Sequence, residues 1–184
     1  MSKIISQIMV SVDGFYEGNH HELDWHQVDE EYNEYATEML QNVSAILFGR
    51  KTYQLMEQYW PTAQAEKDSQ VIADLMNQLP KIVFSKTLES VKWNQSVLIK
   101  EKGEQRLKEL KTKVEKDLII FGSGELVSFL TNARLIDEYH IIINPLILAK
   151  GKPFFRDISE KIPLKLVRTK TFKSGNILLC YQLI

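Results

Sequence analysis

A single cysteine, Cys180, leaves no partner for a disulfide within the 184 residues and suits a reducing, cytoplasmic setting. It lies inside a strand pattern, so it reads as a small hydrophobe rather than a nucleophile. Long apolar runs are missing too. Nothing approaches the roughly 20 residues of a membrane span, and the opening M-S-K-I-I-S-Q-I-M-V is too short an apolar stretch for a signal peptide. Charge of one sign is equally scarce. A net charge of -1 gives no global field to draw nucleic acid or an anionic membrane, so neither is expected as a partner. Zinc spacing is absent as well. His20, His21, Glu22, Asp24 and His26 crowd one stretch, but without cysteine or a ligand pattern they read as a solvated loop, and no metal is expected.

What is present is an ordinary globular composition, 44% hydrophobic and 26% charged, on a length that suits one domain, residues 1–184, with one substantial core. Lys3 to Val12 reads as a strand ending at the Asp13-Gly14 turn, followed by a polar loop from Tyr16 to Trp25. Helical spacing begins at Tyr32, with Asp29 placed as its cap. Strands follow at Ala45–Phe48, Lys81–Ser85, Val97–Ile99, Leu118–Phe121 and Glu138–Asn144, with helical patterns between most of them. Leu164–Phe172 and Asn176–Ile184 form a hairpin pattern around Lys173-Ser174-Gly175. Alternating strands and helices predict an α/β fold: a mainly parallel central sheet, helices on both faces, and an antiparallel pair at the C-terminal edge.

Three strands end in loops of related chemistry. Leu118-Ile119-Ile120-Phe121 runs into Gly122-Ser123-Gly124 and then a helical pattern containing Leu126, an order that aims backbone N–H groups and a helix dipole at one point. The third glycine of the dinucleotide fingerprint is missing, and Phe121 stands where a nucleophile elbow needs glycine. Phe48 runs into Gly49-Arg50-Lys51-Thr52, and Phe84 into Ser85-Lys86-Thr87. Taken singly, Arg50, Lys51 and Lys86 are solvated cations at strand ends. Together the three loops offer the cations, hydroxyls and glycine backbone that a dinucleotide phosphate needs at the carboxyl ends of strands.

The ordered set S-V-D-G-F-Y-E-G (Ser11 to Gly18), L-D-W (Leu23 to Trp25), L-F-G-R-K-T-Y (Leu47 to Tyr53), Tyr59-Trp60-Pro61, V-F-S-K-T-L (Val83 to Leu88) and I-I-F-G-S-G-E-L (Ile119 to Leu126) resembles the dihydrofolate reductase-like family. The branch is the one related to the C-terminal reductase domain of bacterial bifunctional riboflavin-biosynthesis deaminase-reductases. That resemblance implies NADPH as cofactor and hydride transfer to a small heterocyclic or carbonyl-containing substrate, like a pterin or a riboflavin precursor. It matches Gly49, Arg50, Lys51 and Thr52 to the segment opening a helix against the pyrophosphate, and Ser85 and Lys86 to the 2′-phosphate side. Gly122, Ser123, Gly124, Glu125 and Leu126 match the glycine loop, where dihydrofolate reductases carry paired glycines and this chain has Gly122-Ser123.

At the substrate end, Asp29 and Glu30 fall where the family places a ring-binding carboxylate, which makes them the catalytic candidates, able to orient a heterocycle and help deliver a proton, but they also read as a helix cap and a first-turn acid. Tyr16 and Trp25 are candidates to touch nicotinamide or substrate. The apolar residues at Leu146–Ala149 and Phe154-Phe155 fit either a homodimer contact, which the resemblance favours, or a cover for the core. The alternative to a reductase is a nucleotide- or ligand-binding protein that keeps the fold without turnover. Flavin in place of nicotinamide is a further reading, opposed by the three loop cations.

Overall fold

The computed structural model describes residues 2–184. Eight strands form one sheet, built in chain order from β1 (Ile4–Ser11), β3 (Val43–Gly49), β4 (Lys81–Phe84), β5 (Ser96–Ile99), β6 (Asp117–Phe121), β7 (Glu138–Asn144), β9 (Leu164–Thr171) and β10 (Ile177–Leu183). Their spatial order is β5-β4-β3-β6-β1-β7-β10-β9. All pairings are parallel except those of β10, which runs against both β7 and β9. The expected mainly parallel sheet with a C-terminal antiparallel hairpin is therefore observed.

Side chains alternate across the sheet and build a core on each face. Met9, Phe48 and Ile119 point to one side, under α1 (Glu30–Gln41), α2 (Arg50–Tyr59) and α3 (Ala63–Gln78). Ile8, Leu47 and Ile120 point to the other, under α4 (Gly103–Lys113) and α5 (Gly124–Asn132). The central strands are apolar on both faces because helices cover both, as a parallel sheet requires. α1 buries Tyr35, Ala36, Met39 and Leu40, four positions on one helical stripe. α3 starts at a Thr62 cap and breaks at Ser69, whose extended backbone divides it in two.

One feature departs from the sequence reading. Phe15–Gly18, taken there as turn and loop, forms β2 and pairs with β8 (Gly151–Pro153) in a separate two-stranded ribbon. α2 begins at Arg50, since the backbone turns helical directly after the extended Gly49, as the match of Gly49 to Thr52 with a helix-opening segment implies. Of the apolar residues with two readings, Phe154 is buried in the core while Ile147 and Phe155 stand exposed.

Candidate active site

A cavity of about 730 Å³ opens where the sheet is notched. β6 stops at Phe121, opposite Gln7, whereas β1 continues along β7 to Ser11. The Gly122 amide donates to the Gln7 carbonyl at 3.2 Å, so the Gln7 peptide faces β6. Peptide groups alternate along a strand, which turns the N–H and C=O of Met9 to the same side, beyond the end of β6. Gln7, Ile8 and Met9 all line the cavity there.

The starts of α2 and α5 meet beside this notch. Neither helix has a side-chain cap: α2 follows Gly49, and α5 follows Ser123, which adopts a left-handed conformation with φ 54°. They are tied to one another instead. The Gly49 amide donates to Ser123 Oγ at 3.0 Å, and the Ser123 amide donates to Thr52 Oγ1 at 3.1 Å. Gly122, at φ +59°, sits against the Thr52 side chain. The first turns of both helices line the cavity, so the positive ends of their dipoles add there. Arg50 and Lys51 line the same end, Lys51 in an exposed pair with Glu125 at 3.3 Å. Two uncapped helix starts, two cations and close-packed glycines form a cradle that fits a pyrophosphate.

Of the residues singled out in the sequence, Gly49, Arg50, Lys51, Thr52 and Gly122 through Leu126 come together here, and Tyr16 joins them. The Tyr16 ring lies on the α5 start so closely that a Cβ on Gly124 would stand 3.0 Å from its Cζ and hydroxyl. Burial, reinforced by Glu17 and Glu125, pushes the Tyr16 hydroxyl up to about 12. Ser85 and Lys86 follow the neighbouring strand but do not line the cavity; the Ser85 hydroxyl accepts from the amides of Thr87 and Leu88.

The carboxylates proposed for catalysis lie elsewhere. Asp29 caps α1, one oxygen accepting from the Tyr32 amide and the other from the Ser174 amide, each at 2.8 Å. Both oxygens are thus consumed by backbone donors, Glu30 points to solvent, and neither lines the cavity. Trp25 also lies off the cavity wall: its indole donates to the Glu22 carbonyl, and its ring meets His26 edge-on.

Three lining residues escaped the sequence reading. Gln7, buried on the central strand, reaches the Tyr32 hydroxyl at 3.5 Å. A glutamine inside the apolar run of β1 was the available signal. Tyr32 read as one of several core positions on α1. His26, read as part of a solvated loop, is largely buried; its Nε2 has no hydrogen-bond partner, and burial holds the ring neutral, with its pKa lowered to about 4. The Gln27 backbone fixes this segment through Asn144 Oδ1 and Asn176 Nδ2.

Comparison with known proteins places this geometry in a family. The chain is 34% identical over 180 residues to the uncharacterized protein YyaP of Bacillus subtilis (strain 168), covering 98% of this chain and 94% of that one. A Thermotoga maritima diaminohydroxyphosphoribosylaminopyrimidine deaminase/5-amino-6-(5-phosphoribosylamino)uracil reductase superposes with a TM-score of 0.70 at 16% identity, over 100% of this chain and 57% of that chain. A dihydrofolate reductase from Enterococcus faecalis, complexed with NADP(H) and RAB-propyl, superposes with a TM-score of 0.65 at 15% identity, over 98% and 96%. At these identities the superpositions establish a dihydrofolate reductase-like fold. The model of the RibD C-terminal domain matches residues 2–178, and the chain belongs to that family.

Proposed function

We propose that the protein is an NADPH-dependent reductase that delivers hydride to a small carbonyl- or imine-containing ring. The observation that carries this reading is the convergence of the α2 and α5 starts, joined through Ser123, on one notch in the sheet. The pyrophosphate would take the first-turn amides of both helices, with Arg50 and Lys51 neutralising its charge. The Met9 peptide, facing the notch, offers a donor and an acceptor that complement a carboxamide, which would fix the nicotinamide over the opening. Ser85 and Lys86, at the end of the adjacent β4, are assigned to the 2′-phosphate side.

NADPH would supply the hydride, which adds to the ring carbon of a C=O or C=N bond while the heteroatom takes a proton from water. The chain's share is then orientation and exclusion of bulk solvent. No side chain is needed as a nucleophile. The alternative, a binding protein without turnover, gains from one fact. The carboxylates on the cavity wall are engaged: Glu17 with Lys152 and His21, Asp68 with Tyr59 and Gln64, Glu125 with Lys51. Single-turnover mixing of the NADPH complex with pyrimidinones, pterins and quinones separates the two readings. Loss of nicotinamide absorbance with any of them supports the reductase; tight NADPH binding with no oxidation supports the binding protein.

A further inference from the structure

The cavity has two chemically different ends, and α2 runs between them. Its ten residues span about 15 Å, from Arg50 and Lys51 at the positive end of the helix dipole to Tyr59 at the negative end. Beyond Tyr59 the wall is completed by α3, through Asp68, Ile72 and Met76, where that helix packs against α1. Tyr32, Ala36 and Leu40 form the α1 side.

We propose that the compound bound at the end of the cavity walled by α1 and α3 is uncharged and carries no phosphate: a planar, largely apolar ring whose edge bears both hydrogen-bond donors and acceptors. This rests on the reductase reading only in assigning the α2 and α5 starts to the nucleotide.

Cations are confined to one end of the cavity. Among the described residues, the Lys and Arg side chains on the cavity wall are Arg50 and Lys51, both at the nucleotide end. The two histidines on the wall do not replace them. His21 is paired with Glu17, and burial keeps His26 uncharged. The far end repels anions. A phosphate placed near Tyr59 would meet the carbonyl end of α2 and the Asp68 carboxylate, so the dipole and the charge both oppose it.

In place of charge the walls offer apolar surface with polar margins. Ala36, Leu40, Ile72 and Met76, packed together in the core, supply an apolar floor, which suits a flat ring. Polar atoms sit at its margins: the Gln7 amide, the Tyr32 hydroxyl and the His26 ring, whose Nε2 is buried without a partner. A neutral lactam or quinonoid edge can meet such groups, whereas a phosphoribosyl tail finds no counter-charge. The Thermotoga maritima enzyme is described as acting on a phosphoribosylamino compound; the present cavity points to a different substrate within the same fold.

The test uses the full-length protein saturated with NADP+, titrated calorimetrically with 5-amino-6-(ribosylamino)uracil, its 5′-phosphate, and the neutral quinone menadione. The expected result is binding of at least one neutral compound, with the phosphate giving no gain in affinity. A phosphate that tightens binding tenfold or more, or failure of both neutral rings to bind, overturns the proposal. Asn33→Arg, which adds a cation on the α1 wall, should raise affinity for the phosphorylated compound at least fivefold relative to its neutral partner; no change in that ratio also counts against the proposal. NADP+ binding is read separately by displacement of fluorescent NADPH. Its failure would remove the reductase reading, while the ring titrations, repeated without nucleotide, would still decide the substrate-end proposal.

Discussion

Ser123 Oγ accepts the Gly49 amide at 3.0 Å, so one hydroxyl holds the start of α2 against the start of α5. The bond does more than close a loop. It satisfies an amide that would otherwise lack a partner, and it sets the spacing between the two helix starts. Ser123→Ala should cost about 1 kcal/mol of folding stability, the usual net worth of a hydrogen bond that leaves one partner behind. NADPH affinity should fall roughly tenfold, equivalent to about 1.4 kcal/mol. Ser123→Gly, which tolerates the left-handed backbone but lacks the hydroxyl, should lose similar affinity with a smaller stability cost. Urea denaturation and nucleotide titration of both variants check this.

Gly124 and Tyr16 make a second coupled pair. A methyl group on Gly124 would meet the Tyr16 ring at 3.0 Å, tighter than ordinary contact. Gly124→Ala should therefore displace Tyr16 and weaken NADPH binding, and Tyr16→Ala in the same chain should recover part of the loss. A double-mutant cycle on NADPH affinity gives the answer. Additive effects would mean that the two residues act independently.

Asp29 should prove structural. Asp29→Ala should lower stability by about 1 kcal/mol, as loss of a helix cap does, with the reduction rate within about twofold of wild type, a change near 0.4 kcal/mol in the barrier. Burial opposes ionisation of this carboxylate, but the amides of Tyr32 and Ser174 outweigh it and hold its pKa below the usual value. The sign follows. A lowered folded pKa stabilises the protein above the unfolded pKa of about 3.9, and that contribution disappears as pH falls through the folded value. The difference between wild type and Asp29→Ala in acid denaturation should shrink accordingly.

Lys81 gives a pH signature of the same sign at the alkaline end. Its ammonium is fully buried, bonded to the carbonyls of Asn77 at 2.7 Å and Asn94 at 3.0 Å and set over the Trp93 ring, with no carboxylate in contact. Burial pulls it down to about 8. Between that value and the unfolded pKa of about 10.4 the unfolded chain binds more protons, so this group's contribution rises with pH. Wild type should gain stability relative to Lys81→Met as pH increases from about 8 to about 10. Paired denaturation curves across that range test it, and a constant difference would contradict the assignment.

Much of the scaffold was legible because its signals are local. Leu118–Phe121 had no room for anything but a doubly buried strand, Asp29 stood where a cap belongs, and Lys173-Ser174-Gly175 marked the hairpin. The β2–β8 ribbon was not legible, because it joins Phe15–Gly18 to Gly151–Pro153, segments too short for a period and far apart in the chain. The glycine and cation loops were visible one by one. Their stitching through Ser123 was not, since a serine in a left-handed turn carries no signal of the amide it will accept. His26 was misread because its neighbours His20 and His21 are exposed polar residues, while Asn144 and Asn176 draw its own segment inward.

The central claim is the nucleotide site, and titration with NADPH and NADH while following nicotinamide fluorescence tests it most directly. Micromolar NADPH binding is expected, weakened at least tenfold by Arg50→Ala, with preference over NADH reduced in Lys86→Ala. Thermal stability should rise with NADPH concentration, as binding to the folded state requires. Failure of both nucleotides to bind at millimolar concentration would contradict the account and leave only the fold standing.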